Sequence, residues 1–413
     1  MLSLHTSPLA ALGRTRDAGG MNVYVRELAR ELGRGGMYID IFTRRSDPST
    51  PLVQWLSEQA RLISIPAGPQ LPLPPTELFP YVEEFTQRVL RFAERAAQGY
   101  DLVHSHYWLS GVAGMTLAAR WDVPHVTMFH TVERLKAQQY GREEGPVSAA
   151  AAVRMEHEAR LAARAESIIV STEHEREQLR RIYGLPPEEL TIIPCGVDLR
   201  AFAPGTTADR RAARVALGLR DDTPAVLFVG RLDPIKGIDL LLESVAQMHA
   251  RAQLFIVGGN PDGDPEVRRL RAHAEDLGIG DRVMLPGAAP QPELVRYYRA
   301  ADALAVTSRY ESFGLAAVEA LACGTPVVAA AVGGLTSIVR DGENGLLVPW
   351  RSPAAFAERF DTLLGDPALR HHLAAQARRS VEQFDWPRIG DRVRALYHEL
   401  TAEGCGVAAC SCC

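Results

Sequence analysis

Two short loops carry charged residues whose types and spacing suit work on an anion beside a polyhydroxylated group. In Gly230-Arg-Leu-Asp-Pro-Ile-Lys-Gly237, directly after the apolar run Ala225–Val229, Arg231 and Lys236 stand five apart. A forked guanidinium and a point-charge ammonium at that spacing neutralise two phosphates. In Arg309-Tyr-Glu-Ser-Phe-Gly-Leu-Ala-Ala-Val-Glu319, after Ala303–Val306, Glu311 and Glu319 stand eight apart. Ionised carboxylates only accept hydrogen bonds, which suits sugar hydroxyls. The amides of Phe313, Gly314 and Leu315 open a helix there and offer unpaired N–H groups to an anion. A third segment, Asp17-Ala-Gly-Gly-Met-Asn22, precedes an amphipathic helix, and Gly19 and Gly20 let backbone approach a ligand closely. Each feature alone also reads as ordinary surface cations, a turn or an exposed helical residue. Val318, Ala320, Leu321 and Ala322 around Glu319 argue against a solvated face for it.

These loops need strands to end on and helices to begin. Short β-branched runs at Leu62–Ile65, Leu102–Ser105, His125–Phe129, Ser167–Ser171 and Thr191–Ile193 read as strands. A second set reads at Ala225–Val229, Gln253–Val257, Val283–Leu285, Ala303–Val306, Val327–Ala330 and Gly345–Val348. Helical spacing appears at Asn22–Gly33, Ile238–His249, Asp264–Leu277, Gln291–Ala300 and Trp386–Leu400. Strand–helix alternation predicts an α/β chain with parallel sheets. The charged stretch Phe202–Thr223 reads as a linker between two Rossmann-like halves. The expected domains are 1–202, 203–385, a helix at 386–400 packing back on the first domain, and a disordered tail at 401–413. Pro66–Pro80, with six prolines, reads as a mobile surface loop, and such loops often carry substrate contacts. Only Met1–Leu4 precede His5, so the first strand is short or the true start lies upstream.

The Gly230–Gly237 loop followed by the Glu311/Glu319 pair resembles family 4 of the retaining glycosyltransferases, which have the GT-B fold. The segments HTSPLAALGRTRDAGGMNVYV (5–25) and HSHYWLSG (104–111) are similar to the subgroup holding D-inositol-3-phosphate glycosyltransferases and sucrose-phosphate synthases. The resemblance runs nearly to Leu400. It implies two Rossmann-like domains facing across a cleft, and a hexose moved from a nucleotide diphosphate sugar to a small hydroxylated acceptor. The donor would be UDP-glucose, UDP-N-acetylglucosamine or GDP-mannose; the acceptor a sugar or inositol phosphate. By the same resemblance Arg231 and Lys236 bind the diphosphate, with Glu311 and the Gly314 and Leu315 amides beside the transferred sugar. Glu319 binds the ribose, Gly20 lets the loop reach the phosphates, and His130, at a strand end, lies near the sugar. Asn22, Tyr107, Thr131 and Arg154 are the acceptor-side candidates. A Lys expected in the loop near Pro66–Pro80 is replaced at Pro75 or Thr76, which counts against a phosphorylated acceptor; Arg61, Arg88 or Lys136 would have to compensate. Retention is expected by front-face transfer, the leaving phosphate helping to deprotonate the acceptor.

Composition excludes other classes. With 45 Lys+Arg against 50 Asp+Glu, the chain lacks the basic surplus of a general nucleic-acid binder. The uncharged run Ala320–Val339 is long enough to span a bilayer, but its glycines and Pro326 read as strand and turn. No signal peptide opens the chain, and a soluble, cytoplasmic protein is expected. Cys405, Cys410, Cys412 and Cys413 crowd the tail without a zinc spacing, and Cys195 and Cys323 lie within the fold, as suits a reducing compartment. No G-x-G-x-x-G after a strand and no P-loop is present, against dehydrogenase and ATPase readings. Asp262-Gly-Asp264 has the form of a metal-binding pair but reads as a helix-capping loop, so no metal and no cofactor is expected. A homodimer is left open, and a non-catalytic sugar-nucleotide sensor is the alternative function.

Overall fold

Each run read as a strand above forms one, five with the same bounds and the rest shifted at an end by one or two residues. The computed structural model describes residues 1–10, 19–139, 148–261, 263–349 and 351–409. Two units emerge from it. One takes Met1–Ala10, Gly20–Gly196 and the chain from Trp386 onward; the other takes Gly19 and Val197–Asp385.

The first unit holds β1 (Ile39–Arg44), β2 (Val53–Ser57), β3 (Ala60–Ile65), β4 (Val103–His106), β5 (His125–Met128), β6 (Ser167–Val170) and β7 (Leu190–Ile192). Its helices are α1 (Gly20–Arg34), α2 (Val82–Arg95), α3 (Trp108–Trp121), α4 (Glu133–Gln139), α5 (Ala149–Ala162) and α6 (Glu173–Tyr183). The strands order β2-β3-β1 and β4-β5-β6-β7, parallel except for the antiparallel edge strand β2. Met1–Leu4 run between β1 and β4: Leu2 N donates to His104 O (2.8 Å) and Ser3 N to Phe42 O (2.9 Å). β1 and β2 escape the sequence pattern for physical reasons. β1 carries Asp40, bound bidentate by Arg61 on β3 (2.6 and 2.9 Å), and β2 is an edge strand with no fully buried residue. Val25, Leu28, Ala29 and Leu32 line the buried face of α1. Fully burying a side chain the size of Val25, Leu28 or Leu32 contributes about 1.5–3 kcal/mol.

The second unit holds helices α7 (Thr207–Ala216), α8 (Ile238–Gln247), α9 (Pro265–Asp276), α10 (Gln291–Ala300), α11 (Leu315–Ala322), α12 (Leu335–Ile338), α13 (Pro353–Gly365) and α14 (Pro367–Ser380). Its strands are β8 (Ala225–Val229), β9 (Gln253–Val257), β10 (Val283–Met284), β11 (Ala303–Val306), β12 (Val327–Ala330) and β13 (Gly345–Val348). They order β10-β9-β8-β11-β12-β13, all parallel. In chain order this is 3-2-1-4-5-6, which places the topological switch between β8 and β11. The chain then returns to the first unit as α15 (Trp386–Ala409), whose Trp386, Ile389, Val393, Leu396 and Tyr397 join the core cluster of α1.

Four sequence readings change. The segment Phe202–Thr223 is no linker: it carries α7, with Arg210 Nη2 on Asp302 Oδ1 (2.7 Å) and Arg214 Nη1 on Ala300 O (2.8 Å). The charges taken for a solvated connection are the bonds that dock it, and the units part at Gly196/Val197. Pro66–Pro80 is tied down, since buried Arg44 donates to the carbonyls of Pro69 and Leu71 (both 2.7 Å) and Leu78 is fully buried. The last helix continues past Leu400 to Ala409; Cys410, Cys412 and Cys413 lie outside the described residues. Ala320–Val339 contains the end of α11, then β12 and α12, and no described helix is long and apolar enough to cross a membrane.

Candidate functional site

The second-unit site is built at the switch point, where open α/β sheets leave a crevice at the carboxyl ends of adjacent strands. After β8 the chain makes a tight turn at Pro234–Lys236, capped by Asp233 accepting from Ile235 N at 3.0 Å. Gly237 follows at φ +68°, and a methyl group there would come within 2.3 Å of Thr307 O. Only glycine fits both the conformation and the space. From the end of β11, Thr307 Oγ1 donates to the carbonyls of Lys236 (3.0 Å) and Gly237 (2.9 Å), and Arg309 N donates to Ile235 O (2.7 Å). The two strand-end loops are thus stitched together.

That stitching brings Lys236 Nζ to 2.7 Å from Glu311 Oε2, with both side chains about four-fifths covered. Ser308 Oγ donates to the same oxygen at 3.1 Å. Backbone fixes Glu311 too: Gly334 N donates to its carbonyl at 2.8 Å. Gly314, at φ +107°, caps the start of α11, so the Leu315 amide lies at a helix N-terminus, and Phe313 is buried edge-on against Phe384 (5.4 Å). Arg231 is half-buried in the same loop as Lys236. Gly19 counts with this unit: a methyl on it would stand 3.6 Å from Arg231 Cδ and Nε. Gly20 opens α1 and is exposed.

Glu319 keeps other company. One turn into α11, it is 4% exposed and accepts from Tyr298 Oη (2.7 Å) and Gln291 Nε2 (3.1 Å). Burial pushes its carboxyl up to about 7, against the pull of those two hydrogen bonds.

The first-unit site gathers at the ends of β4 and β5. Residues two apart on a strand share a face, so His104 and His106 point together. His106 Nδ1 lies 3.1 Å from His130 Nε2, and His104 Nδ1 lies 2.6 Å from Tyr397 Oη. Tyr24 packs edge-on to His106 and His130 at 5.7 and 5.5 Å. Burial holds the pKa values of His104 and His106 well below the ordinary range, helped by their histidine neighbours. His130 falls to about 3 by desolvation of its ring, although part of the residue reaches the surface. A neutral His130 offers one donor and one acceptor rather than a charge. Its backbone is left-handed (φ +59°), and Tyr107 sits at φ +74°, ψ 153°, a region used almost only by glycine. Strain of this kind costs of order 1–3 kcal/mol per residue and clusters at functional sites.

Beside them lies Arg154, presented by α5 and 7% exposed. It meets Glu158 Oε1 (2.7 Å), Tyr107 Oη (3.0 Å), Thr131 O (2.7 Å), Thr131 Oγ1 (3.1 Å) and Glu133 Oε2 (3.0 Å). Its pKa is raised: burial opposes the charge, but Tyr107, Glu158 and Glu133 outweigh burial. Tyr107, Thr131 and Arg154 therefore converge. Asn22 is fully buried and donates from Nδ2 to Thr6 Oγ1 (2.9 Å) and Ser7 O (2.7 Å), holding the strand-end loop against α1. Arg61 and Arg88 are engaged by Asp40 and Glu84 (2.7 Å for the latter), and Lys136 is exposed on α4. Sequence reasoning missed Glu133, Glu158, His106, Ser308, Tyr298 and Gln291. Two had a local signal: Arg154/Glu158 is an i,i+4 pair, and His106 belongs to a His-x-His strand.

Among the described residues no group of three or more His, Cys, Asp or Glu is arranged to hold a metal ion. Asp264 caps α9 by accepting from Glu266 N (2.9 Å), as the capping reading expects; Asp262 lies outside the described residues.

Two doubly wound units, with paired charges at the strand-end switch of the second, define a GT-B glycosyltransferase architecture. The chain belongs to the family 4 glycosyltransferases: the profile described as "Glycosyltransferase Family 4" matches residues 18–201, and "Glycosyl transferases group 1" matches 209–380. It is similar to the D-inositol 3-phosphate glycosyltransferase of Xylanimonas cellulosilytica, 42% identical over 97% of this chain and 96% of that one. The enzyme of the same name from Acidothermus cellulolyticus is 42% identical over 98% and 90%. Among solved structures, a sucrose-phosphate synthase from Thermosynechococcus elongatus superposes with a TM-score of 0.88 at 36% identity, covering 97% of this chain and 98% of that one.

Proposed function

We propose that this glycosyltransferase moves a hexose from a nucleotide diphosphate sugar to a small hydroxylated acceptor of the sugar or inositol class, with retention of configuration. The observation that carries the reading is the Lys236–Glu311 contact at the β8/β11 switch point. Lys236, with Arg231 and the Gly314 and Leu315 amides, meets the charge that builds on the diphosphate as the sugar–phosphate bond breaks. Donors aimed at developing charge are the largest single contribution in many enzymes. Glu311 turns to the transferred sugar's hydroxyls once Lys236 engages phosphate, and Glu319 takes the ribose. Gly19 and Gly20 carry no side chain to keep backbone from approaching the phosphates. No resident metal or cofactor is needed for this charge balance.

On the first unit, neutral His130 hydrogen-bonds the transferred sugar, while Tyr107, Thr131 and Arg154 border the acceptor and Asn22 positions their loop. Retention follows from attack on the face the leaving group vacates: a diphosphate oxygen accepts the acceptor's hydroxyl proton as the new C–O bond forms. The relatives' names, inositol phosphate in one case and sucrose phosphate in the other, support an acceptor of this size. The test is nucleotide release from UDP-glucose, UDP-N-acetylglucosamine and GDP-mannose, each with and without sugar and inositol acceptors. Acceptor-dependent release from one donor is expected. A donor that binds and is never cleaved would overturn the reading in favour of a sensor.

A further inference from the structure

We infer that Arg351 is a positioning residue for the anion-binding loop: its guanidinium, set on the Thr307 carbonyl, holds Gly230–Gly237 in the shape that presents Lys236 to a diphosphate. The inference rests on the proposed function, since it adds a residue to the donor-binding part of that site.

Packing dictates the placement. Arg351 stands in the turn after β13, directly before Ser352, which caps α13 by accepting from Ala355 N at 3.1 Å. α8 begins directly after Gly237. Ile238, Leu241 and Val245 of α8 share one core cluster with Phe356, Phe360 and Leu363 of α13, so the turns that precede the two helices are brought together. Arg351 thereby reaches past β12 to the end of β11, donating to Thr307 O from Nη2 (3.0 Å) and Nε (3.4 Å). Thr307 is fully buried, so its carbonyl needs a partner from within the protein. Its Oγ1 in turn holds the carbonyls of Lys236 and Gly237. The guanidinium thus anchors a chain of hydrogen bonds that runs to the backbone of Lys236. The fit is close, since a methyl on Gly237 would come within 2.6 Å of Arg351 Nη2.

A neutral donor would satisfy one backbone oxygen. The group found here is a cation that forms no ion pair among the described residues and faces a second cation, Arg309, two residues beyond Thr307. Burial first, and Arg309 second, hold its pKa below the ordinary arginine range. What the planar fork adds is orientation: two N–H groups converge on one oxygen, with less side-chain freedom lost per hydrogen bond than a flexible ammonium would lose. A ligand that must first order its own loop binds more weakly by the fraction of molecules in which the loop is not yet ordered. Loss of Arg351 therefore weakens donor binding and leaves the later bond-breaking step unchanged, which raises KM and not kcat. Mere loss of folded protein does the opposite, lowering kcat at constant KM.

The test compares full-length wild type, Arg351→Ala, Arg351→Lys, Lys236→Ala and the Arg351→Ala/Lys236→Ala pair. UDP and GDP are titrated by calorimetry, donor KM and kcat are measured, and amide hydrogen exchange is followed across residues 230–238 without ligand. Arg351→Ala is expected to weaken whichever nucleotide the wild type binds by about tenfold, the low end for a hydrogen bond to a charged group, and to raise donor KM alike. kcat should stay within about twofold, exchange across 230–238 should rise, and Arg351→Lys should recover most of the affinity. In the Lys236→Ala background the same substitution should add less than about threefold, because the two residues act in series. Unchanged exchange, unchanged affinity, a fall in kcat at constant KM, or the full loss repeated without Lys236 each overturns the inference. A wild type that binds neither nucleotide counts against the proposed function, and hydrogen exchange alone then decides whether Arg351 orders the loop.

Discussion

Lys236→Ala separates a role in chemistry from a role in folding. Its ammonium lies 2.7 Å from Glu311 Oε2, and the two side chains are 21% and 17% exposed. As a structural ion pair so near the surface, it contributes about 0–1 kcal/mol. The variant should therefore keep its Tm within a few degrees, since about 1 kcal/mol moves a domain of this size by roughly 2–4 °C. The loss at the diphosphate is larger. A unit charge about 4 Å from a phosphate oxygen, at an effective dielectric near 20, is worth about 4 kcal/mol. Part of that is returned because the wild-type Lys must first leave Glu311. The net is about 3 kcal/mol, which corresponds to roughly a hundredfold in kcat/KM for the donor. The assay is steady-state release of nucleotide from whichever donor the wild type cleaves, with thermal unfolding run on the same samples. Unchanged Tm with less than a fivefold loss would refute the assignment of Lys236 to the donor diphosphate. A large fall in both would show that the pair holds the loop and that the chemistry lies elsewhere.

Arg154→Ala should destabilise the chain by about 3–5 kcal/mol, because it strands Glu158 and Glu133 around an uncompensated buried charge; urea denaturation checks this, and a loss under 1 kcal/mol would contradict it. Glu319 has its folded pKa raised to about 7 from the ordinary 4.5, so the folded state binds more protons in that window and stability falls as pH rises through it. The shift is worth about 3 kcal/mol in all. Glu319→Gln should match the wild type near pH 4.5 and be the more stable near pH 8, whereas a pH-independent difference would refute the shift. Gly237→Ala forces a side chain at φ +68° into Thr307 O and should cost of order 1–3 kcal/mol while depressing turnover; wild-type stability and turnover would contradict the stitched-loop account. Turnover should survive EDTA, while a loss reversed by added divalent cation would contradict the proposed charge balance.

Much of the site at the ends of β8 and β11 was legible because its logic is local. A strand ends, a loop carries a cation or carboxylate, a helix begins, and all three are contiguous at 225–238 and 303–322. What the sequence could not supply was the adjacency of β8 and β11, which rests on sheet order and brings Lys236 to Glu311 across seventy-five positions. The first-unit cluster was legible only as separate residues. Tyr107, Thr131 and Arg154 come from three segments, and of the two carboxylates that pair with Arg154 only Glu158 had a local signal, its i,i+4 spacing. The misreadings share a cause. Arg210 and Arg214 looked solvated, and the prolines of 66–80 looked loose, because periodicity does not record which buried carbonyls an arginine will satisfy. β2 was invisible because an edge strand with both faces partly wet has no apolar face to detect.

The most direct measurement is a crystal structure of the wild type soaked with UDP. The account predicts the diphosphate at the carboxyl ends of β8 and β11, with Lys236 Nζ released from Glu311 onto a phosphate oxygen and the Leu315 amide within hydrogen-bond distance of it. Nucleotide bound elsewhere, with the Lys236–Glu311 contact still closed, would contradict the account at its centre.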